Sequence, residues 1–173
     1  MVRVASLKDM VHANYKKKDI AGMTATEQLL AINEATRKLV DVQYSTYNRL
    51  LAPQLNKEGI FIINKYEDLS EKQAKFVDRY FMESVYPVLT PMAVDASRPF
   101  PLIRNKTLNI AALLADKKQK DELVFATVQV PGVLPRVVEI PGDDDNRLFI
   151  LLEQIIERNI HFLFSNYKVM CAY

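Results

Sequence analysis

Glycine and cysteine are both scarce in this sequence of 173 residues, which has four glycines, one cysteine and no tryptophan. The lone Cys171 excludes an internal disulfide framework and a cysteine-based zinc site, and it fits a reducing cytoplasm. So few glycines leave little room for a glycine-rich phosphate loop or a G-x-S-x-G nucleophile elbow. The longest apolar runs, such as LNIAALLA, are too short to cross a bilayer. We expect a cytoplasmic protein without a transmembrane segment, and a peripheral membrane association stays open.

The composition is otherwise that of a soluble globular protein. Hydrophobic residues make up 49% of the chain and charged residues 25%, which is enough for a core and ordinary for a domain of this size. The net charge of +2 gives no indication of a polyanion surface. We therefore predict no nucleic-acid partner.

Helical spacing of apolar residues runs through the first half of the chain. It predicts one helix in VRVASLKDMVHANYKK, a second over about 25–58, and a third in SEKQAKFVDRYFMESVY, with IFII as a short extended segment before the third. Thr24 with Glu27, and Ser70 with Gln73, have the spacing of capping boxes. Three helices, one of them long, predict an antiparallel bundle over residues 1–86.

The second helix has one stripe with alternating spacings of three and four residues. The stripe is apolar early and more polar later, and it contains Leu29, Ile32, Thr36, Leu39, Gln43, Thr46 and Leu50. Pro53 is expected to kink this helix, and Gly59 is well placed to end it.

Four prolines stiffen the chain between Tyr86 and Pro101. Each X-Pro step disfavours the helical region for the preceding residue, and proline cannot donate a hydrogen bond to a sheet. We therefore expect Pro87 to stop the third helix, and residues 87–105 to form an extended connector.

The pattern after the connector is typical of a mixed domain over 106–173. LNIAALLA and LVFATVQV predict strands joined by a polar turn at KKQKDE, and RVVEI predicts a third strand. LFILLEQIIERNIHFLF predicts a helix, and YKVMCAY predicts a final strand. The predicted fold class is α+β, with an N-terminal antiparallel helical bundle followed by a partial mixed α/β head domain whose sheet is mainly antiparallel.

Candidate metal ligands are few. His12 and His161 lie in helical patterns without a histidine or carboxylate at the i+4 position that a metal pair uses. The three aspartates at 143–145 could coordinate a hard cation, but consecutive residues point in different directions and the flanking residues indicate a solvated turn. Cys171 lies in an apolar strand, where an inert buried thiol is expected. We predict no metal site.

Basic residues give weaker signals for phosphate. Lys16–Lys18 could attract an anion, but lysines at a helix end also complement the helix dipole. Arg98 and Arg104 flank the stiff connector, where a guanidinium could hold a phosphate, although surface ion pairing also explains them. The residues alone indicate no complete active site and no catalytic residue.

One long stretch carries a family resemblance. YFMESVYPVLTPMAVDASRPFPLIRNKTLNIAALL resembles the polyphosphate kinase family where its N-terminal helical domain joins its head domain. MVRVASLKDMV, GIFIIN and VPGVLPRVVEIP resemble further parts of those two domains, so that the resemblance covers essentially the whole chain.

The resemblance implies a parent enzyme that reversibly transfers the terminal phosphate of ATP to polyphosphate through a phosphohistidine, with Mg²⁺ and ATP. The family's phosphorylated histidine, magnesium ligands and most ATP contacts lie in later domains that match no position here. The resemblance therefore implies an interior fragment that is inactive alone and holds no cofactor. Its helical part is expected to flank the nucleotide site, with Arg3 nearest to ATP, and its head to contribute to dimer contacts.

Two other functions stay open from the sequence. One is a stand-alone protein-interaction module without enzymatic activity. The other is an RNA- or polyanion-binding domain that uses the lysines at 16–18, which predicts binding that weakens steeply with salt. A strand edge left unpaired by truncation would also favour dimerisation or aggregation near Tyr167–Tyr173.

Overall fold

The computed structural model of the chain describes residues 2–94, 100–117, 123–142 and 146–173. Those ranges contain five α-helices: α1 (Val2–His12), α2 (Ala25–Thr46), α3 (Ala52–Lys57), α4 (Glu71–Tyr80) and α5 (Leu152–Arg158). They also contain seven strands: β1 (Ile60–Ile63), β2 (Pro91–Val94), β3 (Asn109–Asp116), β4 (Leu123–Gln129), β5 (Val137–Ile140), β6 (Arg147–Leu151) and β7 (Tyr167–Ala172). The predicted α+β class is confirmed. The predicted turn at KKQKDE lies almost entirely outside the described residues.

The chain forms two compact units, residues 1–54 and residues 55–173. The division expected from the sequence, with a helical domain to residue 86, a connector over 87–105 and a head domain from 106, differs from these units. The reason is that β1 pairs with β6 and that α4 packs into the core of the second unit. The third helix of the expected bundle therefore belongs to the second unit.

The first unit consists of α1 packed against α2. Leu7 and Ala25 are the buried hydrophobic residues among its described positions. Thr24 caps α2, and its hydroxyl and Glu27 form the predicted capping box. The stripe along α2 is largely exposed, and Leu39 has 71% of its surface accessible. The helical period was therefore right, but it did not identify a buried face.

A π-helical turn at Tyr47–Leu51 follows α2 and leads directly into α3. The Ala52 N–H donates to the Tyr47 carbonyl, one residue farther back than in an α-helix. A wider turn of this kind gives space to Pro53, whose ring would otherwise meet the carbonyl four residues earlier. The kink expected at Pro53 stays a prediction, and the structure has a local change in helix type just before this residue. Gly59 has a φ of +72° just after α3, as predicted for a helix end.

Two sheets make up most of the second unit. One has the strand order β1-β6-β5, in which β1 and β6 are parallel and β5 and β6 antiparallel. The other is wholly antiparallel, with the order β2-β4-β3-β7. The helix predicted from Leu148 onward is corrected by β6. Residues 147–150 pair with β1 and residues 148–151 with β5, so that only Leu152–Arg158 are α-helical.

The connector also differs from its expected form. It begins with a short 3₁₀ turn at Tyr86–Val88, after which β2 forms an edge strand paired with β4. Pro91 is the first residue of β2, a position where its missing N–H is tolerated. Residues 95–99 lie outside the described part of the chain.

One hydrophobic core joins α4, α5 and strands of both sheets. The predicted capping box at Ser70 and Gln73 starts α4. Val77 of α4 is fully inaccessible, and so are Phe81 and Val85 in the π-helical turn Phe81–Val85 that continues the helix. Gln73 is also buried, and its amide donates to the Pro141 carbonyl at 3.1 Å. The helix start is therefore fixed to the loop after β5.

Candidate functional site

The three arginines predicted to bind substrate do not form one site in the described residues. Arg3 is exposed in the first unit, where its Nη2 donates to Gln28 Oε1 at 2.7 Å. Arg104 lies in a turn of the second unit, and its carbonyl accepts from the Thr107 N–H and hydroxyl. Arg98 lies outside the described residues. Their substrate-binding role stays a prediction.

Within the described ranges, no group of three or more histidine, cysteine, aspartate or glutamate side chains could hold a metal ion. The absence of a metal site from the whole chain stays a prediction. His12 and His161 are exposed, and Cys171 is half-buried on β7. The aspartates at 143–145 lie outside the described residues.

A polar cleft of about 470 Å³ lies in the second unit. Its wall is formed by the segment after β1, by α5 with the 3₁₀ turn that follows it, and by β7. The lining residues are Asn64, Lys65, Tyr66, Glu67, Gln154, Glu157, Arg158, Ile160, His161, Val169 and Ala172. Because β1 and β6 are parallel, the segments after their carboxyl ends meet here, which is where open α/β sheets place ligands.

Tyr66 and Arg158 lie side by side in this polar cleft. The Arg158 guanidinium carbon lies 4.6 Å from the centroid of the Tyr66 ring. The Tyr66 hydroxyl donates to Asp78 Oδ1 at 3.0 Å, which ties the ring to α4. Beside them, Gln154 Nε2 donates to the Asn64 carbonyl and joins α5 to the end of β1. The Arg158 guanidinium therefore lies against the Tyr66 side chain and, among the described residues, forms no ion pair with a carboxylate.

Two other arginines of the second unit form ion pairs with carboxylates. Arg136 donates from Nε and Nη2 to Glu153, at 3.0 and 2.6 Å to Oε1. Arg147 makes a two-pronged contact with Glu139 at 2.9 and 3.1 Å. The hydrogen bond from Arg147 holds the pKa of Glu139 below its ordinary value. Among the described residues, Arg158 differs from these two because its planar donors have no carboxylate opposite them.

We expect Tyr66→Phe to show how much the hydrogen bond between Tyr66 and Asp78 contributes to stability. Burial, followed by the hydrogen bond to Asp78, raises the pKa of Tyr66. A raised folded-state pKa contributes stability that is fully present below the unfolded value of about 10 and is lost as the pH rises through the folded-state pKa. Tyr66→Phe should cost about 0.5–1 kcal/mol at neutral pH through the lost hydrogen bond. It should also lose less stability than the unaltered chain above pH 10.

Urea unfolding at neutral and alkaline pH measures both effects. Tyr173→Phe is the matched control, because Tyr173 is 83% exposed and its resolved hydrogen bonds are made by its backbone. An identical alkaline loss of stability in Tyr66→Phe and in the unaltered chain would contradict the prediction.

The polar cleft was missed by sequence reasoning. Lys65 and Tyr66 lie about 90 positions before Arg158 and His161, and no motif links the two segments. The pairing of β1 with β6 brings them together, and the sequence did not predict β6.

Two family models match the chain in succession. The first, described as the polyphosphate kinase N-terminal domain, matches residues 1–63, and the second, described as the polyphosphate kinase middle domain, matches residues 72–173. A polyphosphate kinase of Lactiplantibacillus plantarum is 48% identical over 168 residues, covering 97% of this chain and 23% of the relative. A polyphosphate kinase of Bacillus anthracis is 43% identical over 173 residues, covering 98% and 24%.

A solved structure agrees with these sequence matches. The crystal structure of polyphosphate kinase from Porphyromonas gingivalis matches 99% of this chain and 25% of its own, with a TM-score of 0.81 at 25% identity. The chain thus spans about a quarter of the length of the relatives it matches. None of the helices in the described ranges combines the length and apolar character needed to span a membrane.

Proposed function

The chain belongs to the polyphosphate kinase family, and on that premise we propose that it is part of an enzyme that reversibly transfers the terminal phosphate of ATP to polyphosphate. The observation that carries the proposal is the order of the family matches, with the N-terminal domain model on residues 1–63 and the middle domain model on residues 72–173. The lone cysteine supports a cytoplasmic location as part of the same proposal.

Within that enzyme, we assign this chain a structural role. The first unit would flank the nucleotide site, with Arg3 on its exposed surface nearest to ATP, and the second would contribute to contacts between subunits of a homo-oligomer. The edge position of β7 supports subunit contacts, since an edge strand leaves backbone groups without a partner in its own sheet. Light scattering of the chain at high concentration should detect a dimer or larger species, and a stable monomer would count against this role.

The chemistry of phosphoryl transfer would come from the rest of the enzyme. In that reaction Mg²⁺ neutralises the charge that develops on the transferred phosphate. The described residues do not fit Mg²⁺, because their carboxylates and histidines form no cluster able to hold a metal. We therefore derive no catalytic step through a metal or a phosphohistidine on this chain.

An activity assay tests the proposal. The 173-residue chain, incubated with ATP, Mg²⁺ and a polyphosphate primer, should form no ADP above background, whereas a polyphosphate kinase of full family length should form it readily. ATP-dependent polyphosphate synthesis by this chain alone would contradict the structural role.

The alternative is a stand-alone protein-interaction module. The exposed apolar side chains Ile32, Leu39 and Val42 favour it as a second candidate, because their spacing places them on one side of α2 and an exposed apolar face is typical of interaction sites. This alternative predicts partner binding by a native protein of this chain's own mass.

A further inference from the structure

We propose that one end of the antiparallel sheet docks on an anionic lipid surface, with apolar side chains inserted between the headgroups. Three segments meet at this end: residues 86–90 before β2, residues 100–108 before β3 and residues 130–135 after β4. They expose a set of large apolar side chains, here called the loop patch: Tyr86, Val88, Leu102, Ile103, Leu108 and Val133. The loop patch shares no residue with the polar cleft and plays no part in the proposed phosphate transfer.

The strand register brings the three segments together. β2 starts opposite Val128 and β3 starts opposite Gln129, both near the end of β4. The Val130 N–H also donates to the Leu108 carbonyl at 2.9 Å. Because β2 and β3 are both antiparallel to β4, the residues before these two strands and the residues after β4 leave the sheet at the same end.

The loop patch exposes more apolar surface than isolated aliphatic residues do. Leu102 is 98% exposed and Val133 is 80% exposed, so that almost all of each side chain faces water. Single exposed aliphatic residues are common on proteins, but six large apolar side chains on adjacent segments form the kind of surface that docks on a partner or a membrane.

The charges around the loop patch favour an anionic partner. None of the three segments contains an aspartate or a glutamate. Arg104 and Lys106 are exposed and, within the described ranges, form no ion pair. Arg136 adds little, because Glu153 already pairs with it. Aliphatic tips next to a tyrosine and unpaired bases have the composition of surfaces that lie in the headgroup region of a bilayer.

The backbone of the three segments is suited to an environment with little water. Four prolines lie in them and remove N–H groups that would need a partner there: Pro87, Pro101, Pro131 and Pro135. Each segment also closes a turn with its own backbone hydrogen bond. The exposed side chains thus project from three stiff turns, and they do not line a groove shaped for one peptide. This arrangement favours a deformable lipid layer over a protein partner.

The experiment is sedimentation of the 173-residue chain with vesicles at low salt. Vesicles of phosphatidylglycerol should bind the chain saturably, and vesicles of phosphatidylcholine should bind it roughly twentyfold more weakly, because the two unpaired bases each contribute about fivefold on an anionic surface. Binding to phosphatidylglycerol should fall as salt is added.

Substitutions in the loop patch separate the apolar part of this binding from the charged part. Leu102→Ser and Val133→Ser should each weaken binding to phosphatidylglycerol about tenfold, through the apolar area that no longer leaves water. Arg104→Gln and Lys106→Gln should each weaken it about fivefold. Because Leu102 and Val133 are so exposed, we expect all four variants to keep the circular dichroism spectrum of the unaltered chain.

Two matched controls lie outside the loop patch. Leu39→Ser makes the same change of side chain at an exposed position of the first unit. Lys75→Gln removes the same charge at an exposed position of α4. Both variants should bind phosphatidylglycerol vesicles as the unaltered chain does.

Several outcomes would overturn the proposal. They are the absence of binding, equal binding to the two kinds of vesicle, or a loss in Leu39→Ser as large as in Leu102→Ser. If vesicles are not bound and light scattering shows that Leu102→Ser and Val133→Ser abolish self-association, the loop patch is a protein contact and the lipid assignment is wrong. None of these results bears on membership of a longer kinase, which is tested by the mass of the native protein.

Discussion

Phe81→Ala should destabilise the second unit by about 3–5 kcal/mol, the usual cost of truncating a fully buried phenylalanine. Phe81 is completely inaccessible and belongs to the core cluster that joins α4 to both sheets. Its ring lies 6.0 Å from that of Tyr86 and 6.2 Å from that of Phe162, measured between centroids. Because a domain is stable by only about 5–15 kcal/mol, we expect this change to remove a large part of the total.

Urea unfolding followed by circular dichroism measures this loss. Met82→Ala is the control, because Met82 is the next residue in the same π-helical turn and is 47% exposed. It should cost less than about 1 kcal/mol, as exposed substitutions usually do. Equal losses in the two variants would show that residues 81–85 do not lie against the sheets as described.

Leu7→Ala should release α1 from α2, with a local cost of about 2–5 kcal/mol. Leu7 is the buried residue of α1, and Ala25 is the other buried hydrophobic residue among the described positions of the first unit. An isolated helix of 11 residues is marginal in water. Once its main contact is lost, we expect α1 to unfold, while the core of the second unit keeps its stability.

Amide hydrogen exchange tests this prediction residue by residue. Residues 2–12 should lose their protection in Leu7→Ala, while β3 and β4 should retain theirs. Val2→Ala lies in the same helix at a position that is 86% exposed, and its exchange should match that of the unaltered chain. Unchanged protection of α1 in Leu7→Ala would contradict the account of the first unit.

Local signals in the sequence were sufficient for much of the fold. Both capping boxes and the positive φ of Gly59 depend on residues within a few positions, and all three were predicted. The strands β3, β4, β5 and β7 were also predicted, because their residue types favour extended structure.

The missed features all depend on distant partners. An apolar run such as LFILL is compatible with a strand or a buried helix, and pairing with β1 and β5 decides that it forms β6. The compact unit 55–173 includes β1 for the same reason, since β1 pairs with β6. The polar cleft followed from that pairing, because Tyr66 and Arg158 come together only once β1 lies beside β6.

The exposed stripe of α2 shows what helical spacing alone cannot predict. Its spacing predicted a helix correctly, but periodicity alone cannot state what covers the apolar side.

The mass of the native protein in its source cells tests the central claim most directly. An antibody raised against this chain should detect a protein of about four times 19.9 kDa, because the chain spans 23–24% of its relatives. That result would support an interior part of a polyphosphate kinase whose catalytic residues lie outside this chain. A single band at 19.9 kDa would contradict it and favour a separate interaction module.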